Sequence, residues 1–338
     1  MTKTVSVVIP CRNEELYIER CVRSLMASDY PKDSFEVIVS DGESDDSTID
    51  ILRKLGTEFS NLVLIPNPAK VTPVALNLGL KHSKADIKII LGAHSEVAVD
   101  FISENVNALE ANPKVGCAGG VLDHVYEDET AELIGVAMTS PFGVGNAGFR
   151  TGAEDGYVGT VAFGSYRKEV FESVGYFDET LVRNQDDEFN FRVTQSGFKI
   201  LLSHKINCKY FVRASFGKLW RQYLQYGYWK IWVNLLHNTV TTWRQLVPLF
   251  FVLYLILGLL ISPFSSLLGG LYIIGLSVYL LAAAFTAFKL VGISKRTFQL
   301  VWTFLILHTS YGYGYLVGLI RFVVLRQSPS PEFGKLSR

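Results

Sequence analysis

Three long apolar segments near the carboxyl terminus constrain this chain most strongly. They are Leu246–Phe264, Leu267–Phe288 and Phe298–Leu325. Each approaches or exceeds the roughly 20 residues that a helix needs to cross the hydrocarbon core of a bilayer. No Asp or Glu occurs between Leu246 and Pro331, whereas a helix in a soluble core normally keeps a polar stripe. The sequence therefore predicts about three membrane segments, with buried helices of a large soluble core as the alternative.

Charge divides the chain at the same place. Residues 246–338 contain seven basic residues and one acidic residue, whereas the whole chain contains 32 residues of each sign. The residues before Leu246 therefore carry six more acids than bases. A basic membrane region suits anionic headgroups or a phosphate-bearing lipid, and ordinary positive-inside flanking charge explains it equally well. The first apolar run, Val5–Ile9, is too short for a secretory leader, so we expect an integral inner-membrane or plasma-membrane protein whose amino-terminal part is cytosolic.

The loops between the apolar segments predict a hairpin. Ser262–Ser266 carries no charge and Lys289–Arg296 carries three basic residues, so the positive-inside rule sends the first two segments out and back. The third segment contains a polar, glycine-rich stretch, His308–Tyr315, that is unusual for a lipid-facing helix. We expect three spans, and a third segment that is re-entrant or interfacial is the alternative.

The region before the apolar segments has the pattern of an α/β domain. Short β-branched runs at Val5–Ile9 and Glu36–Ser40 flank a helical pattern at Glu15–Met26, which predicts a β-α-β unit with a parallel sheet. Two further strands are expected at Leu62–Ile65 and Ile87–Leu91, with a helix between them. The predicted fold class is therefore α/β with a mostly parallel, Rossmann-like sheet.

The polar loops that follow these strands should meet. Ligands of open parallel sheets bind beyond the carboxyl ends of the strands, so Pro10–Glu14, Asp41–Asp46 and Gly92–Glu96 are expected to line one crevice. No glycine fingerprint for a dinucleotide occurs there, which argues against an oxidoreductase. The four cysteines lack the C-x-x-C spacing of a zinc site and fit a reducing compartment.

Two of these loops carry motifs that resemble those of the inverting family 2 glycosyltransferases, which have the GT-A nucleotide-sugar-binding fold. Val7–Glu14 (VVIPCRNE) matches the signature strand-Pro-x-x-Asn-Glu, and Val39–Ser47 (VSDGESDDS) matches strand-Asp-Gly-x-Ser-x-Asp-x-Ser/Thr. The likeness is greatest to membrane-anchored enzymes of succinoglycan and exopolysaccharide biosynthesis. With the apolar segments, it predicts a cytosolic GT-A domain at residues 1–210, interfacial helices at 211–245, a transmembrane region at 246–325 and a tail at 326–338.

The resemblance implies a set of donor-binding residues at the ends of the strands. They are Pro10, Arg12, Asn13, Glu14, Asp41, Lys70 and Ala93. In the family, the aspartate after the second strand reads the nucleotide base, and Asp41 holds that position, where a carboxylate can accept from a base N–H. The alternative for Asp41 is a plain turn residue. Lys70 is either a phosphate contact or a solvated loop lysine.

The family's metal-binding D-x-D falls on Gly92–His94 (GAH), where this chain departs from the pattern. The first carboxylate is absent, and His94 holds the position of the metal ligand. Because imidazole ligates Mn²⁺ better than Mg²⁺, a divalent metal bridging the diphosphate is expected to be Mn²⁺. A histidine that binds no metal is the alternative, and Glu96 could supply a carboxylate instead.

The segment Asn184–Arg192 (NQDDEFNFR) resembles the family's E-D-x-E-x-x-x-R helix start, with Gln185 in place of the first glutamate. This match makes Asp186 the general base, because an inverting transfer needs one carboxylate to take the proton of the acceptor hydroxyl. Asp187 is the fallback. Glu188 and Arg192 stand four residues apart, so they form a structural ion pair or position the acceptor.

The aromatic and basic segment Lys218–Trp232 has the character of an interfacial helix. We assign Trp220 and Gln222 to the acceptor side. Processive relatives carry Q-x-x-R-W close to Gln222, but here Gln225 and Tyr226 replace the last two residues, which disfavours synthesis of a long polymer.

These observations predict an inverting glycosyltransferase that moves a sugar from a nucleotide diphosphate donor to a saccharide on a polyprenyl diphosphate lipid. The expected partners are the donor, the lipid-linked acceptor and the bilayer, with no nucleic acid. Two alternatives remain: transfer to a bare polyprenyl monophosphate, and a binding or scaffold protein whose catalytic site is degenerate.

Overall fold

A computed structural model describes residues 2–126, 128–145, 154–212, 215–241, 243–330 and 333. The chain divides into two compact units. The sheet unit comprises residues 1–125 and 148–211, and the helical unit comprises residues 126–147 and 212–338. Residues 126–147, which lie within the predicted catalytic domain at 1–210, group with the helical unit, and the domain bounds stay a prediction. Part of the predicted tail, residues 331, 332 and 334–338, lies outside the described residues.

Nine strands are described, all in one sheet. They are β1 (Val5–Cys11), β2 (Phe35–Asp41), β3 (Leu62–Pro66), β4 (Ile87–Ile90), β5 (Ser95–Val97), β6 (Val115–Tyr126), β7 (Gly156–Val158), β8 (Ala162–Arg167) and β9 (Lys199–Val212). The spatial order is β3-β2-β1-β4-β8-β6-β9-β5, and β7 also pairs with β9. The first four strands are parallel, and β8 joins β4 in antiparallel orientation. The predicted parallel sheet is confirmed, with a long antiparallel extension added to it.

Twelve α-helices are described. They are α1 (Ile18–Met26), α2 (Thr48–Glu58), α3 (Thr72–His82), α4 (Phe101–Glu110), α5 (Glu129–Thr139), α6 (Pro141–Val144), α7 (Lys168–Val174), α8 (Gln185–Gln195), α9 (Phe216–Leu236), α10 (Leu246–Ile261), α11 (Ser266–Val291) and α12 (Lys295–Gly318). A short π-helical stretch, Leu319–Val324, continues α12.

Helices cover both faces of the sheet, because successive side chains of a strand point to opposite faces. Val7 and Ile9 of β1 lie in one apolar cluster with α1, whereas Val8 lies in a second cluster with α3 and α8. Strands buried on both faces read as continuous apolar runs, which is the pattern of the run Val5–Ile9. The sheet is therefore rigid, and its polar loops are held at the ends of buried strands.

In the helical unit, α9 and α12 pack at very close range. A Cβ added to Gly314 of α12 would lie 2.0 Å from the backbone oxygen of Leu224, and one added to Gly227 of α9 would lie 2.1 Å from that of Tyr311. Only glycine allows backbones to approach so closely, as in small-residue helix interfaces in membranes. The glycines in the His308–Tyr315 stretch therefore serve helix packing.

Within the described residues, two helices are long and apolar enough to cross a membrane. They are the Trp243–Phe264 helical segment and α11, with mean hydropathies of 2.4 and 2.0. Only 11% and 6% of their most apolar windows are buried in the protein, so they are not core helices of a soluble fold. The predicted third span is not apolar enough by the same measure of mean hydropathy, because α12 contains polar residues and glycines. Several of its residues are also buried in the protein, namely Thr303, Phe304, Leu307 and Ser310.

Candidate active site

Four loops meet at the carboxyl ends of the parallel strands. Cys11 at the end of β1 pairs with Asp41 at the end of β2, which in turn pairs with Pro66 at the end of β3. The next strand, β4, runs alongside β1 and leads into Gly92–His94. We call residues 11–14, 41–45, 67–70 and 92–94 the strand-end edge. The expected crevice residues are therefore next to one another.

The first two loops of the strand-end edge are tied together by Asn13. Its side chain donates to Oδ1 of Asp45 at 2.6 Å and accepts from the backbone N–H of Asp45 at 3.0 Å. Its own N–H donates to Oγ of Ser44 at 2.9 Å. Asn13 has a φ of 54°, in the left-handed region that asparagine tolerates best after glycine. The Asn of the signature motif thus fixes the shape of the edge.

Two further donor-binding candidates lie on the first loop or beside it. Pro10 lies within β1, and the side chain of Arg12 would lie 3.2 Å from a Cβ added to Gly42.

Asp41 shapes the second loop. Only 6% of its surface is exposed, and its carboxylate accepts from the hydroxyl of Ser44 at 2.5 Å and from the N–H of Ser44 at 3.0 Å. These bonds close an Asx-type turn, so the role of turn residue is met. Contact of Asp41 with a nucleotide base stays a prediction.

Lys70 lies beside this turn. Its Nζ is 2.7 Å from Oε2 of Glu43, and both side chains are about half exposed. Lys70 therefore has a carboxylate partner at the rim of the strand-end edge, and its contact with a phosphate stays a prediction. A phosphate would have to compete with Glu43 for this ammonium group.

Gly92 replaces the first aspartate of D-x-D for a steric reason. A Cβ at this position would lie 3.0 Å from the ring of Phe163 on β8, so a larger side chain would require that ring to move. Ala93 is buried behind it. Phe163 itself has a φ of 48°, which is rare for a bulky residue. An aspartate side chain at position 92 would therefore compete with the ring of Phe163 for the same space.

His94 faces the carboxylate of the signature motif. Its Nδ1 lies 3.7 Å from Oε1 of the buried Glu14. Its ring packs edge-on against Tyr210 of β9, with the centroids 4.9 Å apart. The imidazole is therefore held by two residues distant in sequence. Glu96, the alternative carboxylate, is 3.2 Å from Nζ of Lys209.

The residues around His94 fit a divalent metal in part. Ligands about 2 Å from a cation lie about 3 to 4 Å from each other, so the 3.7 Å between His94 and Glu14 suits two ligands of one ion. Nδ1 of His94 is buried without a hydrogen bond to any described residue. No group of three or more His, Cys, Asp or Glu side chains that could hold a metal occurs in the described part of the chain. Oxygens of a bound diphosphate would have to complete the coordination.

Cys21 and Cys208 are buried. Burial raises the pKa of both thiols, that of Cys208 to about 12, so both are protonated at neutral pH in the absence of a metal. Packing stays their predicted role.

The first turn of α8 lies near the same edge. Asn190 accepts from the hydroxyl of Tyr166 at 2.9 Å and donates to Oγ1 of Thr160 at 2.8 Å. Thr160 precedes β8, whose start lies beside the end of β4. Asp186 stands one turn before Asn190 and is exposed, and its Oδ1 accepts from the N–H of Asp187 at 2.9 Å. Its role as general base stays a prediction, and its exposure is what that role requires.

Glu188 and Arg192 form the structural ion pair that was one of their two predicted roles. Glu188 is only 3% exposed, and Arg192 binds it in a two-pronged contact at 2.7 and 2.9 Å. Arg192 also donates to the backbone oxygens of Val174 and Tyr176. All of these contacts are internal, so the pair joins α7 and the following loop to α8.

Backbone strain concentrates around these loops. Seven described residues other than glycine have a positive φ, and five of them are Asn13, Glu43, Lys70, Phe163 and Asn184. Each such conformation costs about 1 to 3 kcal/mol and persists only where the surroundings enforce it. Strain of this kind clusters at functional sites, which marks the strand-end edge and the start of α8 as such a site.

The two predicted acceptor residues on α9 lie in the other compact unit. Trp220 is partly exposed, and Gln222 donates to the hydroxyl of Tyr226 at 3.0 Å. Sequence reasoning did not find Tyr210, Phe163 or Asn190. No signal near these residues in sequence marks them, because each contacts a partner at least 24 positions away.

Known proteins resemble this chain over most of its length. The family described as "Glycosyl transferase family 2" matches residues 6–175. A dolichyl N-acetyl-alpha-D-glucosaminyl phosphate 3-beta-D-2,3-diacetamido-2,3-dideoxy-beta-D-glucuronosyltransferase of Methanococcus voltae is 32% identical over 66% of this chain and 71% of its own length. Succinoglycan biosynthesis protein ExoA of Rhizobium meliloti is 31% identical over 74% of this chain and 76% of its own.

One solved structure supports the assignment of the fold. It is a mannosyltransferase from Pyrobaculum calidifontis in complex with GDP-Man and Mn²⁺, with a TM-score of 0.61 and 17% identity. The match covers 92% of this chain and 86% of that one. At this identity, the likeness shows a shared fold.

Proposed function

The chain is a glycosyltransferase of family 2 with a GT-A fold, and we propose that it transfers a sugar from a nucleotide diphosphate donor to a lipid-linked saccharide. The observation that carries this proposal is the meeting of Asn13, Asp41 and His94 at the carboxyl ends of adjacent parallel strands. Ligands of open α/β sheets bind at that place.

The donor side follows from the chemistry of the strand-end edge. Asp41 can accept from a base N–H if its turn with Ser44 loosens, and the cations of Arg12 and Lys70 stand on the neighbouring loops. Positive charge suits the phosphates of a nucleotide diphosphate. Lys70 would exchange the carboxylate of Glu43 for a phosphate oxygen, so donor binding would break the ion pair between Lys70 and Glu43.

The catalytic step is assigned to Asp186. In an inverting transfer, its carboxylate takes the proton of the acceptor hydroxyl while the hydroxyl oxygen attacks the anomeric carbon opposite the leaving diphosphate. Asp186 suits this role because it is exposed, whereas Glu188 is buried and bound to Arg192. Asp187 remains the fallback for the same role.

A divalent metal, with Mn²⁺ favoured over Mg²⁺, would be held by His94 and Glu14 together with diphosphate oxygens. When bound, the metal would neutralise negative charge on the leaving diphosphate. Tyr210 and Glu14 keep the imidazole in place. The nitrogen ligand is the reason to favour Mn²⁺.

The acceptor is proposed to be a saccharide on a polyprenyl diphosphate. The name of the Methanococcus voltae relative specifies a dolichyl phosphate that carries N-acetylglucosamine, and the Rhizobium meliloti relative takes part in succinoglycan biosynthesis. The first name supports a lipid-linked saccharide as acceptor, and the second supports a role in polysaccharide synthesis. Because the first name specifies a monophosphate bridge, an acceptor with that bridge is the variant to compare. The two apolar helices then anchor the protein in an inner or plasma membrane, with the sheet unit in the cytosol.

A donor screen tests the proposal. The full chain is purified in detergent, offered UDP- and GDP-sugars with or without Mn²⁺, and assayed for nucleoside diphosphate release. Lipid-linked saccharides with monophosphate and diphosphate bridges are then added, and glycosylated lipid is measured. Metal-stimulated release from one donor class, with sugar recovered on lipid, is expected. Absence of release and of nucleotide binding by calorimetry would instead support a scaffold protein.

The metal assignment has its own test in binding. His94→Ala should abolish the Mn²⁺-dependent part of nucleoside diphosphate binding measured by calorimetry. The matched control is His82→Ala, because His82 is an exposed histidine at the end of α3. Binding by the unsubstituted protein that is the same in chelator and in Mn²⁺ would contradict the metal site.

A further inference from the structure

A segment of the sheet region belongs to the helical unit. The chain leaves the sheet after β6 and returns to it at β7, and between them lies the Glu129–Val144 hairpin, made of α5 and α6. Near its start, Oε1 of Glu132 is 2.6 Å from Nη2 of Arg296 in the first turn of α12. The apolar side chains of α5 are buried in the helical unit. They are Ala131, Leu133, Ile134, Ala137 and Met138.

The far end of the hairpin is held by two successive hydrogen bonds. The backbone oxygen of Phe142 lies 2.9 Å from Nε2 of His308, and the hydroxyl of Tyr279 lies 2.8 Å from Nδ1 of the same ring. A carbonyl oxygen can only accept, so Nε2 carries the proton and Tyr279 donates to Nδ1. The ring of Phe142 also packs on Phe304, with centroids 4.9 Å apart. These contacts fix the level of Phe142 against α11 and α12.

That level is the middle of a candidate membrane span. Tyr279 is at the midpoint of α11, twelve residues before its last residue, Val291. At about 1.5 Å per residue, twelve residues cover about 18 Å, which is about half of a hydrocarbon core of about 30 Å. The distance along α12 from Arg296 to His308 is the same twelve residues. The position of Tyr279 in α11 thus places Phe142 deep in the layer that α11 is proposed to cross, and the equal distance along α12 agrees with this depth.

The tip of the hairpin satisfies its own backbone, as hydrocarbon requires. Oγ of Ser140 accepts from the N–H of Phe142, and the backbone oxygen of Ser140 accepts from Gly143 and Val144. Pro141 has no N–H to satisfy, and its backbone oxygen accepts from Gly145. Unsatisfied backbone groups cost several kcal/mol each in a bilayer. This tip can therefore lie at membrane depth.

We propose that the Glu129–Val144 hairpin is a re-entrant membrane element that contacts lipid acyl chains near the bilayer middle. In the chain it lies between β6 and β7, which belong to one sheet. Pro141 is exposed at the tip, and Thr139 is half-buried. The inference rests on the proposed placement of α11 in the membrane. It adds a membrane contact formed by a segment between two strands of the glycosyltransferase sheet.

Spin labels report depth in the bilayer. The full chain is labelled at Pro141→Cys or Thr139→Cys and reconstituted in phosphatidylcholine and phosphatidylglycerol vesicles. Collisions with oxygen, which enriches in hydrocarbon, and with a water-soluble nickel chelate are then measured. The four native cysteines are buried, so the unsubstituted protein gives the labelling background. Val278→Cys, exposed at mid α11, is the lipid control, and Glu129→Cys, exposed at the start of the hairpin, is the shallow control.

We expect labels at Pro141 and Thr139 to collide with oxygen and to be shielded from nickel to about the same degree as the label at Val278. The label at Glu129 should favour nickel. A label at Pro141 that favours nickel while Val278 favours oxygen would overturn the re-entrant hairpin and leave the span intact. If Val278 also favours nickel, the proposed membrane placement of α11 fails, and the hairpin inference fails with it.

Discussion

The two units of this protein expose different kinds of residues. In the sheet unit, apolar side chains such as Val7, Val8 and Ile9 are fully buried. The helical unit also buries apolar side chains, but large apolar residues of α10 and α11, such as Phe250 and Ile273, are exposed. This exposed apolar surface is what the proposed placement of α10 and α11 in hydrocarbon requires.

This difference changes what holds each unit together. The sheet unit buries apolar area, which water drives strongly, and then fixes its loops with specific polar contacts such as that between Asn13 and Asp45. If the helical unit lies in lipid as proposed, lipid gives little such drive, and close backbone packing at Gly227 and Gly314 and interhelical hydrogen bonds contribute more. Substitutions of the same kind should therefore have different effects in the two units.

The largest effect is expected for the exposed carboxylate of α8. Asp186→Asn should lower kcat by about 10² to 10⁴-fold, because an amide cannot take the acceptor proton, while donor affinity changes little. Steady-state transfer to lipid-linked saccharide and calorimetric donor binding measure the two effects. Asp187→Asn is the matched control, and if it shows the larger loss, Asp187 is the base.

The buried ion pair of the sheet unit should matter for stability. Arg192→Ala leaves the buried carboxylate of Glu188 without its partner, and such a loss costs about 3 to 5 kcal/mol. Arg53→Ala, which breaks an exposed pair with Asp50, should cost about 1 kcal/mol or less. Thermal unfolding in detergent compares them. Equal shifts of Tm would show that the pair with Glu188 is not structural.

Glycine packing tests the helical unit. Gly314→Ala forces a methyl group toward the backbone oxygen of Leu224, and overpacking of this kind costs about 1 to 3 kcal/mol. Gly270→Ala in α11 meets no atom within 4 Å and should be neutral or stabilising by up to about 1 kcal/mol. Tm values in one detergent give the difference. A harmless Gly314→Ala would contradict the close α9–α12 contact.

The smallest effect concerns pH. The backbone N–H and the ring of His204 hydrogen-bond Asp155 and hold the pKa of its carboxyl below the ordinary value of about 3.9. Because the folded pKa is the lower one, this contribution is present above about pH 4 and is lost as pH falls through the folded pKa. Asp155 is 54% exposed, so the contribution should be below about 1 kcal/mol.

The difference in Tm between the unsubstituted protein and Asp155→Asn measures this contribution. It should shrink as the pH falls from about 5 toward about 3. A difference that grows over that range would have the wrong sign for a carboxyl group with a lowered pKa.

Much of the sheet could be predicted because its signals are local. The strands Val5–Ile9 and Glu36–Ser40 are apolar runs that end in polar turns, and both are present with one or two residues added at their ends. The motif residues Asn13 and Asp41 lie where parallel strands must bring them. The antiparallel extension could not be predicted, because its long strands pair with partners far away in the sequence.

The helical unit was predicted less well. Composition identifies apolar helices, and α10 and α11 agree with it. The same signal predicted a third span at Phe298–Leu325, but it does not show whether an apolar face meets lipid or another helix. In α12 many of these residues face α9 and α10, and the glycines that permit this contact lower the hydropathy.

The sequence by itself determined the family, the parallel strands, the position of the strand-end loops and the apolar character of α10 and α11, because each rests on residues close together in the chain. Only the tertiary structure decided that Glu14 faces His94 from 80 positions away, that Glu188 is bound to Arg192 while Asp186 is exposed, and that residues 126–147 belong to the helical unit. Packing between segments that are distant in the sequence determines which side chains are buried and which residues they contact. A local sequence pattern does not indicate which distant residue will be in contact.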